Sequence, residues 1–211
     1  MQHKRILILG DHTSVLWHPL TPAEPHLRET LGSGFELTFS EAYPDLTAET
    51  LAGYDLVINY IDNWQNRGTV SAAVALQGWV AQGGPLLTLH SGIITRDPFF
   101  LLPMQGGAFT KHEAYTTLHF HAVGDPHPVT AGVEPFDMQD EPYEFELDPF
   151  TPRNHILAFE LDGRTYPAGW VIRYGFGRIV YLAPGHDGRS FAVPGFQQLI
   201  RNSAAWLTEA E

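Results

Sequence analysis

Four short apolar runs are spaced through the first ninety residues: KRILILGD (4–11), FELTFSEA (35–42), DLVINYI (55–61) and PLLTLHS (85–91). The first is apolar and β-branched enough for a strand buried on both faces, the fourth also reads as a buried strand, and the other two read as strands. Three stretches between them have helical character, at 21–31, 46–54 and 69–84. In the first, Thr21 is a candidate N-cap, Pro22 fits the first helical position and Glu24 completes a capping-box spacing. In the third, Val70, Ala73, Val74, Gln77, Val80 and Ala81 recur at helical spacing, and Gly83 supplies a C-cap. A β-α-β-α-β-α-β order with short connections leaves few topologies open. It predicts a mostly parallel sheet flanked by helices on both faces.

The second half has a different texture, rich in Pro, His and aromatic residues. Strands are expected at LHFHAVG (118–124) and HILAFEL (155–161). The stretch 169–185 forms two antiparallel strands around Gly175-Phe176-Gly177, a C-terminal hairpin. Residues 194–210 predict a closing amphipathic helix with Phe196, Leu199, Ile200, Ala204 and Leu207 toward the core. No repeat, low-complexity tract or long linker divides the chain, so residues 1–211 are expected to form a single α/β domain.

Composition narrows the function. A formal net charge of -12, with 12 scattered Lys and Arg, argues against nucleic acid and against an anionic membrane surface. The chain has no cysteine, which removes disulfides, zinc-thiolate sites and a thiol nucleophile. No apolar stretch approaches a membrane span or a signal segment, so the expected location is cytoplasmic.

Eleven histidines are many for 211 residues, and their positions matter more than their number. Ligands of open α/β sheets bind beyond the carboxyl ends of the parallel strands. There, after the first strand, come Asp11 and His12, with Trp17 and His18 close behind. Asp62, Asn63 and Trp64 follow the third strand, His90, Ser91 and Gly92 the fourth, and His186 and Asp187 the run at 178–182. These polar tails should converge at one sheet edge. His112 lies in a Gly-rich stretch; His119 and His121 alternate with Leu118 and Phe120 as exposed strand positions. Asp140 and Glu141 are adjacent carboxylates just before Tyr143 and Phe145.

In order along the chain, LHSG, GGAFTKH, DPHPVTAGV, DEPYEF, YGFGRIVYLAPGHD and the F-x-x-P-x-F opening of the last helix resemble the ThuA-like (trehalose utilisation) family. The likeness runs from about Ile6 to Trp206, and YGFGRIVYLAPGHD is its most specific part. It implies a flavodoxin-like fold of the class I glutamine-amidotransferase type. Where those amidotransferases carry a cysteine at the strand-four elbow, this chain has His90, so glutaminase chemistry is not expected. By motif, the family's functional residues fall on His90, His112, Asp140, Glu141, His186 and Asp187. Two departures are local: Lys111-His112-Glu113 stands where many relatives have His-Pro, and the elbow is less Gly-rich.

The resemblance implies an enzyme of small sugars or keto-sugars. Removing a proton next to a carbonyl suits histidine, whose ordinary pKa is near working pH. His90 or His186 is the expected base, with Asp187 or Glu141 orienting it or acting as acid. His18, His112 and Asp140 are expected to bind substrate, and Trp17, Trp64 and Tyr143 to stack on the ring. A metal-assisted variant, with zinc or manganese, would draw ligands from His12, His18, His90, His112 and His186 with Asp187 or Glu141. A non-catalytic binding or assembly protein on the same shell is the alternative. The oligomeric state is open, a homo-oligomer included.

Overall fold

A computed structural model describes residues 3–12, 16–62, 69–94 and 98–209. The chain enters through β1 (Lys4–Leu9), exposed at Lys4 and Arg5 and buried from Ile6 onward. It continues through α1 (Leu20–Leu31), β2 (Phe35–Ser40), α2 (Ala48–Leu51), β3 (Leu56–Asn59), α3 (Val70–Ala81) and β4 (Leu86–Leu89). Strands β3 and β4 are buried at every position, as the unbroken apolar runs require. Next come α4 (Pro98–Gln105), β5 (Gly107–His112), β6 (Thr116–Ala122), β7 (Phe136–Asp140), β8 (Tyr143–Leu147), β9 (Asn154–Leu161), β10 (Arg164–Tyr174) and β11 (Gly177–Leu182). Two helices, α5 (Gly188–Phe191) and α6 (Pro194–Thr208), close the chain.

Nine strands form one mixed sheet in the order β2-β1-β3-β4-β11-β10-β9-β6-β7, and β5 and β8 form a small antiparallel sheet. Strands β2, β1, β3, β4 and β11 run parallel to one another. From β11 outward every pairing is antiparallel. The antiparallel part therefore reaches well beyond the hairpin evident in the sequence. Chain direction reverses across β1, with β2 on one side and β3 on the other. Right-handed crossovers at such a reversal place α1 and α3 on opposite faces. The packing agrees: α1 lies against α5 and α6, and α3 against α2 and α4.

Two local expectations are corrected. Helix α1 starts two residues early, with Pro19 at the N-cap and no side-chain cap. Thr21 Oγ1 donates to the His12 carbonyl, and Glu24 pairs with Arg28 and His12, so no capping box forms. The Asp11 carbonyl, which accepts from Leu20 N–H at 2.7 Å, ties the helix start to the end of β1 instead. In α3 the buried face is Ala72, Ala73, Leu76 and Val80, while Val70 and Val74 are exposed. An Ala/Val-rich helix is apolar on almost every side, and spacing alone does not select its inner face. In α6 the five expected positions are all buried.

The hairpin turn at Gly175-Phe176 shows why glycine is needed. Gly175 has φ +59°, and a Cβ there would lie 2.4 Å from the Ala81 carbonyl oxygen. Phe176 N–H donates to that same oxygen at 2.9 Å, pinning the hairpin to the end of α3.

Candidate functional site

The carboxyl ends of β1, β3, β4 and β11 all open on one edge, and the loops after them carry His18, Asp62, His90 and His186. At β4 the chain leaves the strand with His90 at φ +42° and turns through His90–Ile93. Gly92 permits the turn to lie against β3, since a Cβ would come within 2.3 Å of the Asn59 carbonyl oxygen. Asn59 Nδ2 and Gln105 Nε2 both donate to the Gly92 carbonyl at 3.0 Å. His18 also has a left-handed backbone, at φ +53°. A non-glycine residue held there costs on the order of 1–3 kcal/mol, and such strain concentrates at functional sites.

Glu141 arrives from the other half of the molecule, in the turn between β7 and β8. Its neighbour Asp140 is fully buried and sets the turn. Asp140 Oδ2 accepts from Gly185 N–H (2.9 Å), His186 N–H (3.3 Å) and Ser190 Oγ (2.9 Å), and Oδ1 accepts from Glu141 N–H (2.8 Å). One carboxylate thus ties the 185–190 loop to the residue carrying Glu141. Tyr60 adds a second tie, its hydroxyl donating to the Gly185 carbonyl at 2.7 Å.

Three imidazoles surround one oxygen of Glu141. Oε2 lies 3.5 Å from His18 Nε2, 3.4 Å from His90 Nε2 and 3.1 Å from His186 Nδ1. Oε1 faces His112 Nε2 at 3.6 Å. Burial alone would raise the Glu141 pKa, but the imidazoles of His18, His186 and His90 hold its carboxyl well below the ordinary range. Burial pulls His18 down, yet Asp62 and Glu141 outweigh it and leave the imidazole above its usual value. For His90 burial wins and the value falls. Glu141 is therefore ionised and His90 neutral near pH 7.

Trp17, His18, His112, Glu141 and Tyr143 line a cavity of about 290 Å³ against this cluster. The Tyr143 ring stacks with His90 at a centroid distance of 4.2 Å and with His112 at 5.7 Å. The arrangement offers an ionised carboxylate, several imidazoles and an aromatic wall to a ligand of sugar size. A family model described as trehalose utilisation, ThuA, matches residues 5–207. The chain belongs to the ThuA family.

Solved structures agree on the fold. A ThuA-like protein from Bacteroides uniformis ATCC 8492 superposes with a TM-score of 0.78 at 18% identity, covering 97% of this chain and 91% of that one. One from Parabacteroides merdae ATCC 43184 gives 0.79 at 16%, with 98% and 90% covered. A cold-adapted β-galactosidase from Rahnella sp. R3 gives 0.68 at 17%, covering 97% of this chain but 32% of the larger one. A search of curated protein sequences found no match.

The ThuA chain gathers His18, His90, His112, Glu141, Tyr143, His186 and Trp17 at one place, and sorts them by access. His90 has no exposed surface, so as a base it could not touch a ligand in this arrangement. Tyr143 is buried to 1% exposure, which makes it a wall rather than a stacking platform; Trp17, 58% exposed, is the accessible aromatic. Asp140 has no exposed surface and accepts from four donors, so its place in the site is to hold the 185–190 loop and Glu141. Asp187 caps α5, accepting from Arg189 N–H at 2.8 Å, and its other oxygen pairs with the Arg189 guanidinium. It does not orient a histidine. His12 pairs with Glu24 at 2.8 Å, outside the cluster. Trp64 lies outside the described residues. His119 and His121 stack on each other on β6, with His119 paired to Asp137, far in role from the site.

Sequence reasoning did not single out Tyr60, Ser190 or Tyr115. The Tyr115 ring lies 5.1 Å from His186 and its hydroxyl is 3.4 Å from Asp187. No motif marks these three; only the fold brings them to the 185–190 loop.

Among the described residues no helix is long and apolar enough to cross a membrane.

Proposed function

We propose that this ThuA protein is a carbohydrate-metabolism enzyme that acts by His/carboxylate acid–base chemistry on a small sugar or keto-sugar. The observation that carries the reading is the cavity itself: Glu141 and His112 lie side by side on the wall of a pocket that the exposed Trp17 also lines. His112 is the base we favour. Its Nδ1 is 2.9 Å from the Glu113 carbonyl, which accepts the ring N–H and leaves the Nε2 lone pair toward the cavity. A proton arriving on Nε2 finds Glu141 Oε1 at 3.6 Å. On a keto-sugar, Nε2 takes the proton beside the carbonyl; the C–H electron pair forms a C=C bond and the carbonyl π pair moves onto oxygen, giving an enediolate, and a proton passes from the neighbouring hydroxyl oxygen to the former carbonyl oxygen. Return of the proton to the neighbouring carbon isomerises the sugar.

The fold supports the finer classification. The parallel strands run 2-1-3-4-5 when β11 is counted fifth, the flavodoxin-like order found in class I glutamine-amidotransferase-like proteins. A chain with no cysteine carries no thiol nucleophile at its strand-four elbow, which favours sugar chemistry over glutaminase chemistry.

The test is an NMR assay of the purified protein against keto-disaccharides and their parent sugars. Turnover of a keto-sugar, lowered roughly 10²–10⁴-fold in His112→Ala, is the expected result. Saturable binding with no turnover of any of them would instead identify a ligand-binding protein. Trp17→Ala should weaken sugar affinity about fivefold by calorimetry, the loss of one stacking face worth about 1 kcal/mol; unchanged affinity would remove Trp17 from the site.

A further inference from the structure

The cluster around Glu141 has an unusual hydrogen-bond account. His18 Nε2, His90 Nε2 and His186 Nδ1 are buried, each lies 3.1–3.5 Å from Glu141 Oε2, and none has a hydrogen-bond partner among the described residues. Buried ring nitrogens are normally satisfied. Here three of them, from three separate loops, point at one carboxylate oxygen without the alignment of a hydrogen bond.

That geometry suits a shared ion. Ligands at about 2.0–2.2 Å from a tetrahedral metal stand roughly 3.3–3.6 Å apart. One ligand atom from each of His18, His90, Glu141 and His186 lies within 4.8 Å of all the others, a spread that small side-chain rotations close. The outer partners match as well. His90 Nδ1 lies 2.6 Å from the Ala183 carbonyl, which takes the ring N–H and fixes the lone pair on Nε2. His18 Nδ1 lies 3.4 Å from Asp62 Oδ2, the carboxylate–imidazole arrangement that orients metal-bound histidines. Glu141 is held by its backbone bond to Asp140.

We propose that His18, His90, His186 and Glu141 bind one divalent first-row transition-metal ion, with zinc the preferred ion. Three imidazoles and one carboxylate, with no thiolate, are the ligand types that zinc takes, and manganese is its competitor. The cavity of Trp17, His112 and Tyr143 adjoins His18 and Glu141, so a fifth position faces the ligand pocket. This deepens the sugar-enzyme reading, on which the ion's use rests, by giving the same site a group that polarises a sugar carbonyl or hydroxyl.

The experiment titrates chelator-treated, untagged full-length protein with zinc and separately with manganese by calorimetry, counting bound metal by elemental mass spectrometry. One zinc per chain is expected. His186→Ala, whose ring is partly exposed, should weaken zinc by more than the roughly 10–100-fold typical of losing an outer-shell partner. Cobalt bound in place of zinc should give a visible ligand-field spectrum that Glu141→Gln shifts, a readout that needs no activity. The paired change His119→Ala and His121→Ala, at the exposed stack on β6, should leave all of this unchanged. Cooperative melting of each variant controls for folding. Failure of folded wild-type protein to take up either metal overturns the proposal, as does uptake that survives His186→Ala and vanishes with His119 and His121. Metal uptake without keto-sugar turnover upholds the ion site and sinks only the sugar reading. Keto-sugar turnover by protein that takes up neither metal does the reverse.

Discussion

Asp140→Ala is expected to cost about 3 kcal/mol and to lower the melting temperature by roughly 6–12 °C for a domain of this size. The carboxylate is fully buried and accepts from three backbone N–H groups and the Ser190 hydroxyl. Alanine removes the acceptor but not the donors, and each buried donor left alone costs about 1–3 kcal/mol, reduced where water can enter the space. The loss should not be confined to stability. Gly185 N–H and His186 N–H lose the group that holds their loop, and Glu141 N–H loses its anchor, so the cluster around Glu141 loosens together. Calorimetric melting of the variant beside Ser190→Ala checks this. Ser190→Ala removes one donor of four and should cost about 1 kcal/mol. Equal melting temperatures for Asp140→Ala and wild type would show that the 185–190 loop is held by something else, with Tyr60 the first alternative.

Glu141→Gln should leave the protein folded and abolish its chemistry. The amide is nearly isosteric, and the backbone N–H of residue 141 still donates to Asp140. What disappears is the negative charge among His18, His90, His186 and His112. Each proton the mechanism moves passes through an imidazole facing this carboxylate, so a loss of at least about 10³-fold in kcat is expected with little change in melting temperature. KM should change less than kcat, because Trp17 and the cavity walls remain. Activity within tenfold of wild type would mean that Glu141 is a bystander and that the reacting groups lie elsewhere.

Much of this architecture was legible before any coordinates. The four apolar runs of the first ninety residues become β1 to β4, and their polar tails meet because parallel strands place their carboxyl ends on one edge. That rule brought His18, His90 and His186 together from positions far apart in the chain. Glu141 obeys no such rule. It sits between β7 and β8, two five-residue strands in which Asp137, Gln139, Glu144 and Glu146 alternate with apolar residues, a period-2 signal too short to place either strand in a sheet. Their strand character comes from pairing with β6 and β5, which composition does not reveal. Nor does adjacency in sequence say which of Asp140 and Glu141 turns inward; their opposite orientations on either side of a strand end decide it. The same holds for His186 and Asp187, where the histidine faces the cluster and the aspartate caps α5. Face selection failed in α3 for a different reason, since a helix apolar all round carries no directional signal.

The account stands or falls on proton exchange at a sugar carbon. Wild-type protein, incubated in D₂O with a keto-disaccharide and followed by NMR, should place deuterium on the carbon next to the carbonyl. His112→Ala should do so far more slowly, and Glu141→Gln not measurably. Wild-type protein that binds the keto-sugar yet incorporates no deuterium above the uncatalysed background would contradict the assignment of this cluster as an acid–base site.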